Sequence, residues 1–278
     1  MIDTLGVVIE NHELAPGYRL MTLEFDDQIP VRPGQFAMLK PLGSFEPLLR
    51  RALAIYKVPA PNRISFLYQV LGRGTQALAS VPSGGKIQSL LPLGNFWPLP
   101  SFSGSAGVPG SALVVAGGIG SASLLMLAKE LATVGIATEV FFGAANRTSA
   151  LGSGLEDFKR LGLPLTVTTD DGSAGERGFV TGPLERVLER SGGPGITVYA
   201  CGPWVMMERT ARLAERAGAR CLVSLEAPMG CGFGVCVGCV FAVKKDGPVG
   251  YDSYKRVCVD GSIFPAEIVR WEVTAMLH

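Results

Sequence analysis

The chain has 278 residues, long enough for two domains with separate cores, and its 25 Lys and Arg against 24 Asp and Glu leave a net charge of +1. That balance gives no electrostatic footprint for nucleic acid or for an anionic membrane surface. Apolar residues make up 47% of the chain, yet every apolar run is broken well short of the roughly eighteen residues that a membrane span needs.

The N-terminal stretch MIDTLGVVIENHEL has no basic start, apolar middle or small-residue cleavage site, so it does not read as a secretory signal. Short β-like runs follow, at Gly6 to Glu10, Tyr18 to Phe25, Gln35 to Lys40 and Arg63 to Val70. Turn signals separate them, at Ala15-Pro16-Gly17, Arg32-Pro33-Gly34, Pro61-Asn62 and Ser83-Gly84-Gly85. Many short strands at this spacing predict a small antiparallel β-barrel over residues 1–99. Two of its segments could hold a diphosphate. Arg50-Arg51-Ala52-Leu53-Ala54 closes one apolar run, and Tyr68-Gln69-Val70-Leu71-Gly72-Arg73-Gly74-Thr75 reads as a strand entering a helix. An arginine and the free N–H groups of a helix start can bind phosphate together, although an arginine pair by itself is a common solvated surface feature. Pro100 to Ser111 is rich in Ser, Gly and Pro without apolar periodicity and is expected to be a linker.

From residue 112 to 225 apolar strands alternate with helical segments. Strands are predicted at Leu113 to Ala116, Thr138 to Phe142, Leu165 to Thr169, Ile196 to Ala200 and Cys221 to Leu225, with helices at Ala122 to Thr133 and Val205 to Ala217. Such alternation predicts a doubly wound α/β domain on a parallel sheet. Its first strand runs into Gly117-Gly118-Ile119-Gly120, a turn that lets a ligand approach the backbone, but the third glycine of the dinucleotide fingerprint is replaced and no acidic residue ends the next strand. Cys201-Gly202-Pro203 follows the fourth strand in the same manner, which puts both turns at the C-terminal edge of one sheet, where open α/β sheets bind ligands.

Residues 226–278 show little regular structure and carry Cys231, Cys236, Cys239 and Cys258 in the pattern Cys-x4-Cys-x2-Cys…Cys. This is the plant-type [2Fe–2S] spacing. Gly230, Gly232, Gly234 and Gly238 thread the first three, as a loop does when its N–H groups must close on an anionic cluster. Structural zinc usually takes two close Cys pairs, whereas only Cys236 and Cys239 make one here. The run Val257-Cys258-Val259 is expected to return the fourth ligand on a strand after a hairpin around Lys244 to Tyr251. Cys201 and Cys221 lie in apolar strands, which together with an iron–sulfur site fits the reducing cytoplasm. His12 and His278 are the only histidines, and no acid–base dyad is evident.

The order of these parts resembles the ferredoxin–NADP+ reductase superfamily over nearly the whole chain, and within it the electron-transfer subunits of type B dihydroorotate dehydrogenase. The resemblance implies an FAD-binding barrel, an NAD(H)-binding α/β domain and a C-terminal [2Fe–2S] domain that faces a separate FMN-containing catalytic subunit, in a heterotetramer serving pyrimidine biosynthesis. Carried over by position, it assigns Arg51, Ala52, Leu53 and Ala54 to the flavin, with Arg51 meeting the pyrophosphate and the main chain of Leu53 and Ala54 facing the isoalloxazine. Tyr68, Gln69, Val70, Gly74 and Thr75 complete the FAD site. Gly118, Gly120, Cys201, Gly202 and Pro203 face the nicotinamide, and Cys231, Cys236, Cys239 and Cys258 hold iron.

Two departures stand out. The family's flavin motif ends in serine where this chain has Ala54, which removes a hydroxyl, and the eighteen residues between Cys239 and Cys258 are a long gap. Two other readings remain open at this point. One is a reductase subunit of a hydrogenase, a sulfide-linked enzyme or an NADPH–ferredoxin transhydrogenase; the other is a zinc-stabilised binding module without redox activity. Asn146-Arg147-Thr148 and Arg177 could approach a 2′-phosphate, and NAD rather than NADP is expected on the resemblance alone.

Overall fold

Seven strands from the first hundred residues form one antiparallel sheet in the computed structural model, which describes every residue except Ser44, Ser101, 104–107, 245–249 and 275–278. They are β1 (Ile2–Ala15), β2 (Tyr18–Glu24), β3 (Phe36–Pro41), β4 (Arg51–Ala54), β5 (Lys57–Ala60), β6 (Arg63–Gln69) and β7 (Lys86–Leu93), with helix α1 (Arg73–Ala79) between the last two. The strand order is β4-β3-β7-β1-β2-β6-β5. The edge strands β4 and β5 follow one another along the chain. Between them the Ile55 N–H donates to Gln35 O at 3.0 Å and the Tyr56 N–H to Ser65 O at 2.9 Å, which curls the sheet into a half-barrel. β1 runs five residues beyond its expected end, because a register shift between Val8 and Glu10 offsets the alternation that marks a strand in sequence.

In β6 the period of two sorts side chains to two buried faces. Ile64, Phe66 and Tyr68 fill the barrel, while Leu67 packs outward against the second sheet. Gln69 shares that outward face, which is how it reaches the cleft between the two sheets.

β8 (Phe102–Ser103) and β9 (Val108–Pro109) form a two-residue ladder inside the expected linker. The second sheet contains β10 (Ser111–Gly117), β11 (Thr138–Ala144), β12 (Leu165–Thr169), β13 (Glu176–Arg177), β14 (Ile196–Cys201) and β15 (Arg220–Ser224), all parallel. Its crossovers carry α2 (Leu125–Thr133), α3 (Arg147–Gly152), α4 (Leu155–Arg160), α5 (Thr181–Ser191) and α6 (Trp204–Ala217). Along β10, Leu113 and Val115 enter one core and Val114 and Ala116 the other, so the strand is apolar throughout because helices cover both faces. The order is β13-β12-β11-β10-β14-β15, and the chain reverses direction between β10 and β14. Ala122 and Ser123 fall in a 3-10 turn over Gly118–Ser123 rather than in α2, consistent with the poor helix propensity of the Gly and Ser residues there.

The last segment holds β16 (Val240–Ala242) and β17 (Tyr254–Arg256) as an antiparallel pair, then α7 (Val257–Asp260), β18 (Ile263–Pro265) and α8 (Trp271–Thr274). β18 adds antiparallel to β15, so this segment extends the second sheet. Cys258 therefore lies in a helical turn, not on a strand: the Asp260 carboxylate accepts the Arg256 N–H at 2.7 Å and starts the turn. Of the hairpin expected around Lys244 to Tyr251, residues 245–249 lie outside the described residues. His278 also lies outside them, and His12 is exposed beside Glu10.

Three contacts fix the pieces to one another. Asn95 brackets Ile263 with both side-chain amide atoms, at 2.8 and 2.9 Å. The Trp97 indole donates to Ser123 O at 2.9 Å and packs edge-on against Tyr199, a pair worth about 1 kcal/mol beyond its burial. Tyr56 donates to Asp157 on α4 at 2.8 Å.

Candidate functional site

Two cavities open in the cleft between half-barrel and parallel sheet. The first, of about 270 Å³, is walled by Ala52, Leu53 and Ala54 of β4, by Tyr68 and Gln69 of β6, and by Thr75 of α1. Its other wall belongs to the second sheet and the last segment, with Ile119, Ser123, Cys201, Ser224, Glu226, Met229 and Ser262. The second cavity, of about 700 Å³, lies over the C-terminal edge of the parallel sheet at the reversal between β10 and β14, lined by Gly118, Gly120, Gly202, Pro203, Asp170 and Trp204 among others. Gln69, Ile119 and Glu226 line both, so the cavities adjoin.

The arginine pair divides its work. Arg50 is bound to the Asp3 carboxylate at 2.8 and 3.0 Å, a partner far away in sequence. Arg51 instead lies over the start of α1, with its Nη1 on the carbonyls of Leu49 and Arg50 at 3.2 Å. A Cβ at Gly74 would come within 2.5 Å of the Arg51 Cζ and 2.7 Å of Nη2, so the guanidinium occupies the room that the missing side chain leaves. Cation and helix start are thereby held together, which is the arrangement a diphosphate needs.

The remaining barrel residues have mixed placements. Thr75 lines the first cavity, but its hydroxyl accepts the N–H groups of Leu71 and Gly72 and donates to Gly72 O, closing the turn. Tyr68 is buried with its hydroxyl on Asn11, and burial pushes that phenol up to about 12. Val70 packs against the barrel core and is not among the cavity-lining residues.

At the sheet edge the two glycine turns pack on each other. A Cβ at Gly120 would meet the Cys201 carbonyl at 2.6 Å, and one at Gly202 would meet Gly117 Cα at 2.8 Å. Only Gly118, at φ +50 with nothing within 4 Å of its Cβ position, presents open backbone to the second cavity. Cys201 is fully buried and lines the first cavity rather than the second; burial raises its thiol pKa, so it stays protonated. Arg147 and Arg177 line neither cavity, whereas Asp170 does.

The four thiols of the last segment stand as two pairs. The Cys236 N–H donates to Cys231 Sγ at 3.5 Å, and the Cys258 N–H to Cys239 Sγ at 3.4 Å. Cys231 and Cys236 face outward, while Cys239 and Cys258 are buried. Burial works to raise the Cys231 thiol, but N–H groups of Cys236, Phe233 and Val235 overcome it and bring the group down to about 6. Burial and then the neighbouring Cys239 and Cys231 push Cys258 up to about 12. Gly232 and Gly234 hold φ +82 and +93, turning successive N–H groups inward, and Gly232 is seated on Met38 of β3. Among the described residues no three such ligands converge as a single ion requires. Two thiol pairs, one with its charge stabilised by backbone N–H groups, suit two irons bridged by sulfide better than one zinc.

Several lining residues escaped the sequence reading. Ser123, Ser224, Glu226, Met229 and Ser262 carry no motif of their own; the one signal is the place of Ser224 at the end of the last parallel strand and of Glu226 just after it, ahead of the first cysteine. Met229, two residues before Cys231, connects the first cavity directly to the cysteine loop.

Comparison with known proteins gives the same order of parts. Residues 226–270 match the family described as the iron-sulfur cluster binding domain of dihydroorotate dehydrogenase B. The dihydroorotate dehydrogenase B (NAD(+)) electron transfer subunit of Desulforamulus reducens is 34% identical over 255 residues, 90% of this chain and 92% of that protein. The homolog of that subunit in Aquifex aeolicus is 34% identical over 94% of this chain and 96% of its own length. Among solved structures, a NADH-dependent reduced ferredoxin-NADP oxidoreductase superposes with a TM-score of 0.81 at 26% identity, covering 99% of this chain and 92% of that one. Phthalate dioxygenase reductase shares the fold at a TM-score of 0.63 and 17% identity, over 92% and 94% of the two chains. With a third of its residues shared along nine-tenths of its length, and its cysteine segment matched, the chain belongs to the family of electron-transfer subunits of dihydroorotate dehydrogenase B.

Proposed function

We propose that the chain passes electrons between NAD(H) and an FMN-containing catalytic subunit that oxidises dihydroorotate, through FAD and a [2Fe–2S] cluster. The observation that carries this is the continuity of the cleft: the two cavities share Gln69, Ile119 and Glu226, and Met229 leads from the first cavity into the cysteine loop. FAD, when bound, supplies the exchange of a hydride on one side for single electrons on the other. The protein's part is to hold, orient and shield.

In this reading the chain divides into a flavin unit at 1–99, a nicotinamide unit at 112–225 and a cluster unit at 226–278. Arg51 and the start of α1 at Gly74 and Thr75 hold the pyrophosphate, and Ala52, Leu53, Ala54, Tyr68, Gln69 and Val70 form or back the flavin wall. Gly118, Gly120, Gly202 and Pro203 bind the nicotinamide end, while Cys201 lies on the flavin cavity. Cys231, Cys236, Cys239 and Cys258 would hold the cluster, the first two on the more open side of the loop and the last two buried. Phe233, Val235, Val237 and Val259 leave apolar surface exposed around the outer pair, as a docking face for the catalytic subunit would. The assembly is a heterotetramer in the cytoplasm; no helix among the described residues is long and apolar enough to cross a membrane.

Isolation of the native complex tests this reading. A co-purifying FMN protein that reduces NAD+ with dihydroorotate is the expected result. The likeness to a ferredoxin-NADP oxidoreductase favours a second reading, a ferredoxin-linked transhydrogenase, and a complex inert to dihydroorotate but active in ferredoxin-dependent exchange would replace the first with it.

A further inference from the structure

We propose that a buried row of hydroxyls, Ser123–Ser224–Ser262, is the hydrogen-bonding wall for the ring nitrogens of the flavin, and that it favours reduced over oxidised FAD. The inference rests on the assignment of FAD to the first cavity and adds the groups that tune it.

The side of that cavity built from β4 offers only Ala52, Leu53 and Ala54, none with a polar side chain. Phe36, Leu67, Leu225 and Met229 add apolar surface. Three serines from three different elements stand on the opposite, polar part of the lining, and all are at least nine-tenths buried. Ser123 ends the 3-10 turn after β10, Ser224 ends β15, and Ser262 lies four residues after Cys258.

They are linked, but loosely. Ser123 Oγ donates to Ser224 Oγ at 3.4 Å, Ser224 Oγ to Ser262 Oγ at 3.4 Å, and Ser262 Oγ to the Gly34 carbonyl at 3.3 Å. Full-strength O–H···O bonds are about 2.7–2.8 Å long. Buried hydroxyls normally find partners at that strength, and three stretched ones on a single cavity wall mark the place of a polar ligand edge.

The row also has a direction. A carbonyl can only accept, so Gly34 draws the Ser262 proton toward itself, and each hydroxyl before it donates along the row in turn. What the row then presents to the cavity is lone pairs. Ring reduction by hydride places an N–H where the oxidised flavin has a bare nitrogen, so a wall of acceptors is matched by the reduced ring and not by the oxidised one. Cys201 lines the same cavity and interacts with Ser123 and Ser224; burial first and then the Glu226 charge keep it a neutral thiol. Ala54 contributes no hydrogen bond, and the serine row supplies one from the other side.

The test is the two-electron midpoint potential of FAD in the full-length, cluster-loaded protein, read by spectroelectrochemistry with flavin content and melting temperature alongside. Ser224→Ala is expected to retain FAD and to lose about tenfold in the reduction equilibrium, about 30 mV downward for a two-electron couple. Ser224→Thr, which keeps the hydroxyl, should stay near the native potential, as should Ser89→Ala, a buried hydroxyl in the barrel sheet that lines neither cavity. If Ser224→Ala releases FAD, Ser262→Ala carries the test and must shift the potential in the same direction. An unchanged or raised potential in either alanine variant with FAD bound overturns the proposal. A native chain that binds no flavin would instead overturn the assignment of the cavity, a result distinguishable from failure of the row.

Discussion

Gly74→Ala separates the phosphate clamp from the fold. Its Cβ would come within 2.5 Å of the Arg51 Cζ and 2.7 Å of Nη2, so the guanidinium must leave the helix start. The displaced atoms are the end of a flexible side chain, and the fold can yield there. Arg51 would give up two long bonds, both 3.2 Å, to the carbonyls of Leu49 and Arg50. Losing them costs about 1 kcal/mol, and alanine in place of glycine within α1 returns about as much, so net stability should move by no more than about 1 kcal/mol. Binding should move further. A hydrogen bond to a charged group is worth about 1.5–3 kcal/mol, which makes FAD roughly ten- to a hundredfold weaker. Flavin fluorescence quenching gives the affinity and thermal melting the stability. Gly120→Ala is the contrast, because its Cβ would strike the Cys201 backbone at 2.6 Å, where nothing can yield, so its main effect should be destabilisation by about 1–3 kcal/mol. Native FAD affinity in Gly74→Ala, or an affinity loss matched by collapse of its melting temperature, would rule out Arg51 and the helix start as a phosphate clamp separable from the fold.

Two further outcomes concern carboxylates, Asp157 at the contact of α4 with Tyr56 and Asp170 in the second cavity. Burial acts to raise the Asp157 pKa, but the hydrogen bonds from Tyr56, Lys57 and Arg160 overcome it and hold the carboxyl below its ordinary value. A depressed carboxylate contributes stability above the unfolded value of about 3.9 and loses it as pH falls through the folded value. Tyr56→Phe should therefore lower stability at pH 7 by about 1 kcal/mol, at the low end for a charged partner because the site is partly open to solvent, and flatten the decline below about pH 4; an unchanged acid limb in urea melts would contradict this. Asp170 is the carboxylate lining the second cavity beyond β12, so Asp170→Ser should improve NADPH relative to NADH in flavin reduction by about fivefold, the equivalent of about 1 kcal/mol of relieved repulsion. An unchanged NADPH-to-NADH ratio would remove Asp170 from nicotinamide selection.

Much of the fold was legible because its strands are locally coded. The apolar runs of β10 and β14 are bounded by turn residues, and helices on both faces of the sheet demand that composition. β1 outruns its alternating stretch because a bulge interrupts the pattern, and Cys258 reads as a strand residue because the carboxylate that turns Val257–Asp260 into a helix is one residue among many equally able to do so. The cysteine spacing was legible for the opposite reason, since chemistry fixes it. The site's walls were harder. Arg50 and Arg51 are indistinguishable in sequence until Asp3 claims one of them. Ser123, Ser224 and Ser262 are 101 and 38 residues apart and meet only once three segments have packed. The GGIG turn carried a double meaning that sequence could not separate, for Gly120 serves packing against Cys201 while Gly118 faces open space.

In a flavin relay the cysteine loop is the one-electron outlet. Iron, sulfide and flavin analysis with electron paramagnetic resonance of the NADH-reduced protein tests it most directly, in the native chain and in Cys236→Ser. The expected result is two irons, two sulfides and one FAD per native chain with a reduced [2Fe–2S] signal, and in Cys236→Ser the loss of that signal while NADH still reduces the flavin. A native protein that holds stoichiometric zinc and no flavin, or a Cys236→Ser variant that keeps the full cluster signal, would contradict it.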